Sequence, residues 1–282
     1  MYNAINQPQL YHNKEKRILP RVTSPFSQPL NKLSEGTQLR RPLLAMESLK
    51  QFIMDQELSA GDALPQEQEL MAMFKMSKWT IREALRMLEG QGLITTRTGP
   101  KGGTFVREVP DSLAVNLLNN YFYFQDVSIS NLYQLRKVIE PELAYTLAGI
   151  LSTSDLEQLT SIIDNYAEPA TTLTEERDHH IESLKFHIVL ANFTDNKLLK
   201  FVIHFICQTL SEMTVTQELY NPPNAELWQK GISYQQSLVE ALKRGDKDRA
   251  RTIMSEHMDM AHEHMKQQEA RLNMRLLPSS NS

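Results

Sequence analysis

The chain has 282 residues, enough for two domains of ordinary size, and 41% of them are hydrophobic, enough to bury real cores. Ten glycines, one cysteine and long stretches of Leu, Glu, Gln, Ala, Met and Lys indicate a largely helical protein without an internal disulfide framework, suited to a reducing cytoplasm. The net charge of −4 hides an asymmetry: residues 1–41 carry seven Lys/Arg against two Glu and residues 42–108 eight against nine acids, leaving −8 for the remainder, so a polyanion is expected to bind at the front. No stretch approaches 18 consecutive apolar residues and the N-terminus lacks the apolar core of a signal peptide, so neither a membrane span nor a leader is expected.

Residues 1–38 contain QPQ, LPR, SPFSQPL and LSEG but no sustained periodicity, which predicts a weakly ordered basic tail, either a solvated extension or an arm on DNA phosphates. From Pro42, LLAMESLKQFIMDQEL places Leu44, Leu49, Phe52, Ile53 and Leu58 at mostly helical spacing. SAGDALPQ breaks that helix, QEQELMAMF is a second short helix, and KMS is a turn whose Ser77 is a good N-cap. KWTIREALRMLEG carries Ile81, Ala84, Leu85 and Leu88 as one apolar stripe, and LITTRTGPKGGTFVRE reads as two short strands around a Gly/Pro turn. Three helices and a hairpin over residues 39–108 are the layout of a winged helix-turn-helix.

The face of the third helix opposite its apolar stripe shows Lys78, Trp79, Arg82, Glu83 and Arg86. One core face and one basic face after a tight turn suit the DNA major groove. Arg82 is placed to pair with guanine, and Lys78 and Arg86 to meet phosphates or base edges. Trp79 either packs on the wing or second helix, or touches a thymine methyl or sugar. In the wing, Lys101, Gly102 and Gly103 set a cation on a backbone free to approach a groove.

Residues 109–125 are expected as a linker whose aromatic run YFYF couples the two domains. Beyond it the chain reads as helical to about residue 274 in roughly seven segments, with breaks near Gln125–Ser130, Leu151–Ser154, Pro169–Thr174, Thr194–Asn196, Asn221–Asn224 and Gly245–Asp246. Ser154-x-x-Glu157 is a candidate capping box, and residues 271–282 a frayed tail. Cys207, inside the apolar run FVIHFICQTL, is expected as a small buried hydrophobe.

The segment LPQEQELMAMFKMSKWTIREALRMLEGQGLITTRTGPKGGTFV resembles the winged helix of the GntR family of bacterial transcription regulators. The family pattern runs leucine-proline, serine, glutamate, arginine, a helix, serine-arginine, then valine-arginine-glutamate-alanine-leucine. Here Gln66 replaces the usual serine cap, Gln68 an arginine, Lys78 an arginine and Trp79 a small residue. Lys for Arg keeps the charge but loses the bidentate fork. The resemblance implies that Glu67, Gln68, Ser77, Lys78, Trp79, Thr80, Arg82, Arg86, Lys101, Gly102 and Gly103 form the DNA-binding set, used by a homodimer on operator DNA.

NLYQLRKVIEPELAYTLAG resembles the opening of the FCD effector-binding domain of the FadR-type branch, through Tyr133, Leu135, Arg136, Glu140 and Pro141. That implies an all-helical bundle over residues 126–270 that dimerises and holds a small ligand at its centre. Many members hold a divalent metal there, using an aspartate four residues before a histidine and two later histidines 22 residues apart. Mapped onto this chain, the four positions are Ser183, His187, Gln235 and His257. Two histidines, a hydroxyl and an amide make a poor metal site, so no cofactor is expected, and a divalent ion on His187 and His257 is the lesser alternative. The same four residues suit a polar pocket, with Arg136 as a fixed charge for the carboxylate of a small organic or sugar acid. His187 read as a core histidine bonded to backbone carbonyls is the competing assignment. His179, His180, Asp178, Glu182, His262 and His264 are expected on a solvated face.

No phosphate loop, nucleophile elbow or HExxH is present, and an enzyme is not expected. The expected function is a cytoplasmic repressor released by an organic acid. A DNA-binding or architectural protein without a small-molecule effector is the alternative.

Overall fold

The computed structural model describes residues 37–276 other than residues 101, 126, 217 and 222. The N-terminal segment expected as a basic tail lies outside the described residues except for its last two positions, which begin the first helix. The chain divides into two compact units, Met1–Glu108 and Val109–Ser282.

The first unit contains α1 (Thr37–Asp55), α2 (Glu67–Phe74), α3 (Lys78–Gly90), β1 (Ile94–Arg97) and β2 (Gly103–Val106). Its core gathers Ala45, Met46, Leu49, Leu70, Leu88, Ile94 and the predicted Ile81, Ala84 and Leu85 of α3. One expectation shifts: Leu44 is 41% exposed, and Ala45 and Met46 face inward instead. A small residue one step along the helix lets α3 approach, which a leucine-counting pattern overlooks. The turn between α2 and α3 is tight because Lys75 adopts a left-handed conformation, φ 53°, that non-glycine residues rarely hold. Ser77 caps α3 by accepting from the Thr80 N–H at 3.3 Å. The two strands pair antiparallel from Ile94 opposite Val106 to Arg97 opposite Gly103. The loop before α2 adds to this sheet: Leu64 donates to the Thr104 carbonyl at 2.8 Å and Gly61 to that of Val106 at 2.9 Å. The SAGDALPQ stretch is therefore a helix break that doubles as an edge for the wing.

Among the described residues the second unit has seven helices: α4 (Asp111–Tyr123), α5 (Ile129–Leu147), α6 (Thr153–Asp164), α7 (Leu173–Asn192), α8 (Lys197–Thr216), α9 (Ala225–Arg244) and α10 (Lys247–Leu276). Residues 109–125, expected as a linker, form α4, and α10 continues into the segment expected as a tail. Local chemistry sets the ends. Ser128 with Asn131, Ser152 with Asp155, and Thr172 with Glu175 cap α5, α6 and α7. The expected Ser154/Glu157 box is not used, because Ser154 already lies inside α6; the cap forms two residues earlier, directly after the turn at Gly149. Gly245, at φ 71°, closes α9.

By length and composition alone α8 would pass as a helix able to cross a membrane. Within this unit it is a core helix, burying Ile203, Phe205, Ile206, Cys207 and Leu210 against α7 and α5. Cys207 is fully buried, and burial pushes its thiol up to about 12, so it is inert as a nucleophile.

Candidate functional site

In the first unit, α3 presents Lys78, Trp79 and Arg86 to solvent, with Trp79 52% exposed. Arg82 is held across the turn: its Nε donates to both carboxylate oxygens of Glu67, at 2.8 and 3.0 Å. This leaves the two terminal nitrogens of the guanidinium outward, the pair needed for a bidentate contact to guanine. Glu67 therefore acts on Arg82. Thr80 is placed differently from expectation. It is buried and its hydroxyl lies 2.9 Å from that of the exposed Ser77, so Thr80 builds the turn rather than its outer surface. Gly102 closes the hairpin loop by donating to the Gly99 carbonyl at 2.8 Å, and a Cβ there would stand 2.6 Å from the Arg97 carbonyl oxygen. Gly103 pairs with Arg97 at the end of β2, and Lys101 lies outside the described residues.

In the second unit a cavity of about 60 Å³ opens between α5, α7, α8, α9 and α10. At its inner end Arg136 and Glu140, four residues apart on α5, form an ion pair with Nε 2.5 Å from Oε1; each is only 1% exposed. Oε2 of Glu140 lies 2.5 Å from Nδ1 of His187, which holds that face of the ring against the carboxylate. Burial works against both charges. For Glu140 the Arg136 guanidinium, with His187, outweighs burial and holds the carboxyl far below its usual range; for Arg136 the Glu140 carboxylate does most to reverse it and keep the guanidinium protonated. One terminal nitrogen of Arg136, NH2, is buried without a protein partner, and the residue lines the cavity. A buried charged donor left over in a cavity is a receptor for an anion.

His187 and His257 complete this end. Their rings stack at 5.3 Å and 10°, with Nε2 to Nε2 3.3 Å. Burial pushes both below the ordinary histidine range, so both are neutral near pH 7. Ser183 lines the cavity one turn before His187. Gln235 departs from its expected place: it is buried but does not line the cavity. Tyr166 Oη donates to its Oε1, and its Nε2 donates to the Ser183 carbonyl at 3.2 Å, so its amide ties α9 to α7 behind the wall.

The donor set does not fit a metal. Among the described residues no three His, Cys, Asp or Glu side chains converge on one point, and a structural or catalytic zinc needs at least three protein ligands. The carboxylate nearest the histidine pair, Glu140, is committed to Arg136 and to the other ring nitrogen of His187.

Sequence reasoning missed several cavity residues. Glu140, which does not line the cavity but holds Arg136 and His187 at it, was visible as the acid four residues after Arg136. His179 and His180, expected on a solvated face, line the cavity with Glu176. Their inward position is set by α8, α9 and α10, which no local pattern contains. His262 also turns inward, stacking on Tyr133 at 5.5 Å and meeting the Ser130 hydroxyl at 2.9 Å, and His264 meets Asn224. Asp178 is exposed, as expected, and Glu182 pairs with Lys185 at 3.1 Å.

Comparison with known proteins agrees with this division. Residues 45–106 match the family described as bacterial regulatory proteins, gntR family, and residues 131–260 match the FCD domain, together about two-thirds of the chain. The chain is 28% identical over 236 residues to the HTH-type transcriptional repressor NanR of Cronobacter sakazakii, covering 78% of this chain and 86% of that protein. It is 27% identical over 215 residues to the Uxu operon regulator of Haemophilus influenzae, covering 75% and 76%. The solved structure of Streptococcus agalactiae GntR shares the fold, with a TM-score of 0.55 at 20% identity over 79% of this chain and 99% of that one. The chain, a winged helix followed by an all-helical unit with a buried ion pair beside its cavity, thus belongs to the GntR family of transcription regulators, in the FadR-type branch that carries an FCD domain.

Proposed function

We propose that the protein is a cytoplasmic, homodimeric repressor whose grip on operator DNA is released by a small organic or sugar acid bound at Arg136. The observation that carries this reading is the unspent, buried guanidinium nitrogen of Arg136 in a cavity shared with Ser183, His187 and His257. A carboxylate there gains a charge-assisted hydrogen bond from a buried donor. The relatives named as a transcriptional repressor and an operon regulator support the sign and kind of regulation.

The cavity also supports a switch. An acid larger than the cavity of about 60 Å³ displaces part of its walls on binding. Effector binding then favours a second packing of the helices and changes the spacing of the two recognition helices on their half-sites. The α4 segment, next in sequence to the winged helix, is the coupling element: Phe122 packs beside Phe205 at 5.7 Å, while Tyr121, Tyr123 and Phe124 remain exposed. Gel retardation with the protein's own promoter fragment at fixed salt tests the whole. Wild-type protein retards it selectively, Arg82→Ala does not, and an acid that raises the melting temperature weakens the wild-type complex. Selective retardation by Arg82→Ala would refute the recognition-helix assignment. A flat thermal and retardation response to a broad panel of acids would leave a DNA-binding regulator without an effector.

A further inference from the structure

The stretch DHHIESLKFHIVL, Asp178–Leu190, holds three histidines, of which only His187 takes part in the carboxylate end of the cavity. The structure gives the other two a place. Glu176, His179, His180, Ser183 and His187 all line the cavity, and apart from the adjacent His179 and His180 they follow at steps of three or four residues along α7. Eleven residues separate the first from the last, about 16 Å along the helix axis. The wall between them is largely apolar, with Leu184, Leu210, Trp228 and Ala261. The cavity wall thus carries polar groups toward both ends of this α7 stripe, with Ser183 between them.

The far end is short of donors. Glu176 is 5% exposed, and its Oε1 accepts from the Asn224 N–H at 3.1 Å and lies 3.8 Å from Nε2 of His180. An ionised carboxylate has about four lone-pair sites, and leaving them empty in a buried setting is costly. Nδ1 of His179 is buried with no protein partner, its ring 5.9 Å from that of Tyr166. The Trp228 indole cannot help, because its N–H donates to the Tyr166 carbonyl at 2.8 Å, which leaves its ring to form wall. A carboxylate and a histidine nitrogen facing an apolar cavity are groups waiting for polar hydrogens.

We infer that Glu176, His179 and His180 form a second subsite, which reads hydroxyl groups at the far end of the effector and so selects polyhydroxylated acids over plain acids of the same length. The inference rests on Arg136 as the carboxylate anchor, and adds the group that distinguishes one acid from another. A site built to hydrogen-bond a hydroxyl rejects the analogue that lacks it, because its own buried groups are then left unpaired.

Gluconate and hexanoate, six-carbon acids that differ in their hydroxyls, are the probes, with glucuronate as a second hydroxylated acid. Isothermal titration of the full chain should show gluconate or glucuronate binding at least about tenfold more tightly than hexanoate, the equivalent of one lost hydrogen bond. Glu176→Gln, nearly isosteric and still able to accept from Asn224, should remove most of that preference without weakening hexanoate. His179→Leu should narrow it too, with little change in melting temperature, since its buried nitrogen has no protein partner to lose; this variant decides the matter if Glu176→Gln does not fold. Arg136→Gln should weaken both acids. If both subsite variants keep the wild-type preference, or weaken gluconate and hexanoate alike, the subsite is refuted while the Arg136 anchor stands. If wild-type protein binds hexanoate as tightly as the hydroxylated acids, the subsite is likewise refuted. If no acid binds at all, the anchor has failed and the subsite falls with it.

Discussion

Replacing Glu140 by Gln tests the most consequential electrostatic feature of the helical unit. The substitution preserves size and an acceptor oxygen but removes the negative charge between Arg136 and His187. Both members of the pair are 1% exposed, with Nε and Oε1 2.5 Å apart. At that separation, with an effective dielectric of 20, the attraction is about 7 kcal/mol, and desolvation of the two ions offsets much of it. Net formation energy is therefore small, but removing one partner strands the other, and such losses run to about 3–5 kcal/mol. For a unit of this size that lowers the melting temperature by roughly 6–20 °C. Scanning calorimetry of the full chain reads the loss as a shift of the helical unit's transition. A carboxylate ligand should restore part of it, since it supplies the missing counter-charge to Arg136. The double replacement Arg136→Met, Glu140→Leu should lie nearer to wild type than Glu140→Gln alone, because it buries no stranded charge. A cost below about 1 kcal/mol for Glu140→Gln, or a double variant less stable than the single, would refute the reasoning.

Three further outcomes follow from other parts of the structure. Ser183→Asp, on the cavity wall one turn before His187, should create a three-ligand zinc site with His187 and His257, whose Nε2 atoms are already 3.3 Å apart, readable as one zinc per chain after dialysis. Stoichiometric metal in the unaltered protein would overturn the donor-set argument. Gly102→Ala should weaken promoter binding several-fold by anisotropy, because its Cβ would sit 2.6 Å from the Arg97 carbonyl oxygen, while leaving acid-induced stabilisation intact. Acidification should destabilise the helical unit: burial lowers the folded-state pKa of His187 and His257 below the unfolded value near 6.5, so below that pH the unfolded chain holds more protons and stability falls as pH falls. The slope is at most about 2.7 kcal/mol per pH unit for two rings, and His187→Asn should reduce it in urea melts at pH 7.5, 6.5 and 5.5. A slope that His187→Asn leaves unchanged would refute this.

The sequence was most legible where structure is local. Ser77 capping α3, the stripe Ile81, Ala84, Leu85 and Leu88, and Gly245 ending α9 each follow from interactions within a few residues. The same locality explains the errors. Ser152-x-x-Asp155 and Ser154-x-x-Glu157 overlap, and the choice between them depends on where the turn at Gly149 releases the chain. Gln235 sits at the expected spacing from His257, yet its orientation is decided by Tyr166, 69 residues earlier.

The histidine-rich helix shows why site residues are harder to read than elements. Periodicity tells which residues of α7 share a face; it does not tell whether that face meets water or a cavity. Hydrophobic residues normally announce the inner face, but a ligand cavity inverts the signal, because its walls need polar groups where a solid core has none. Glu176, His179 and His180 therefore carry the composition of a surface and the position of an interior. His187 escaped the confusion only because a family pattern fixed it. The discriminating evidence lies on other helices: Asn224 feeding Glu176 from the start of α9, Trp228 walling the gap, and His257 stacking on His187 from α10. A polar stripe at helical spacing marks a cavity only when the distant residues that complete its walls are known, and those contacts are the part of the effector site that only the folded chain supplies.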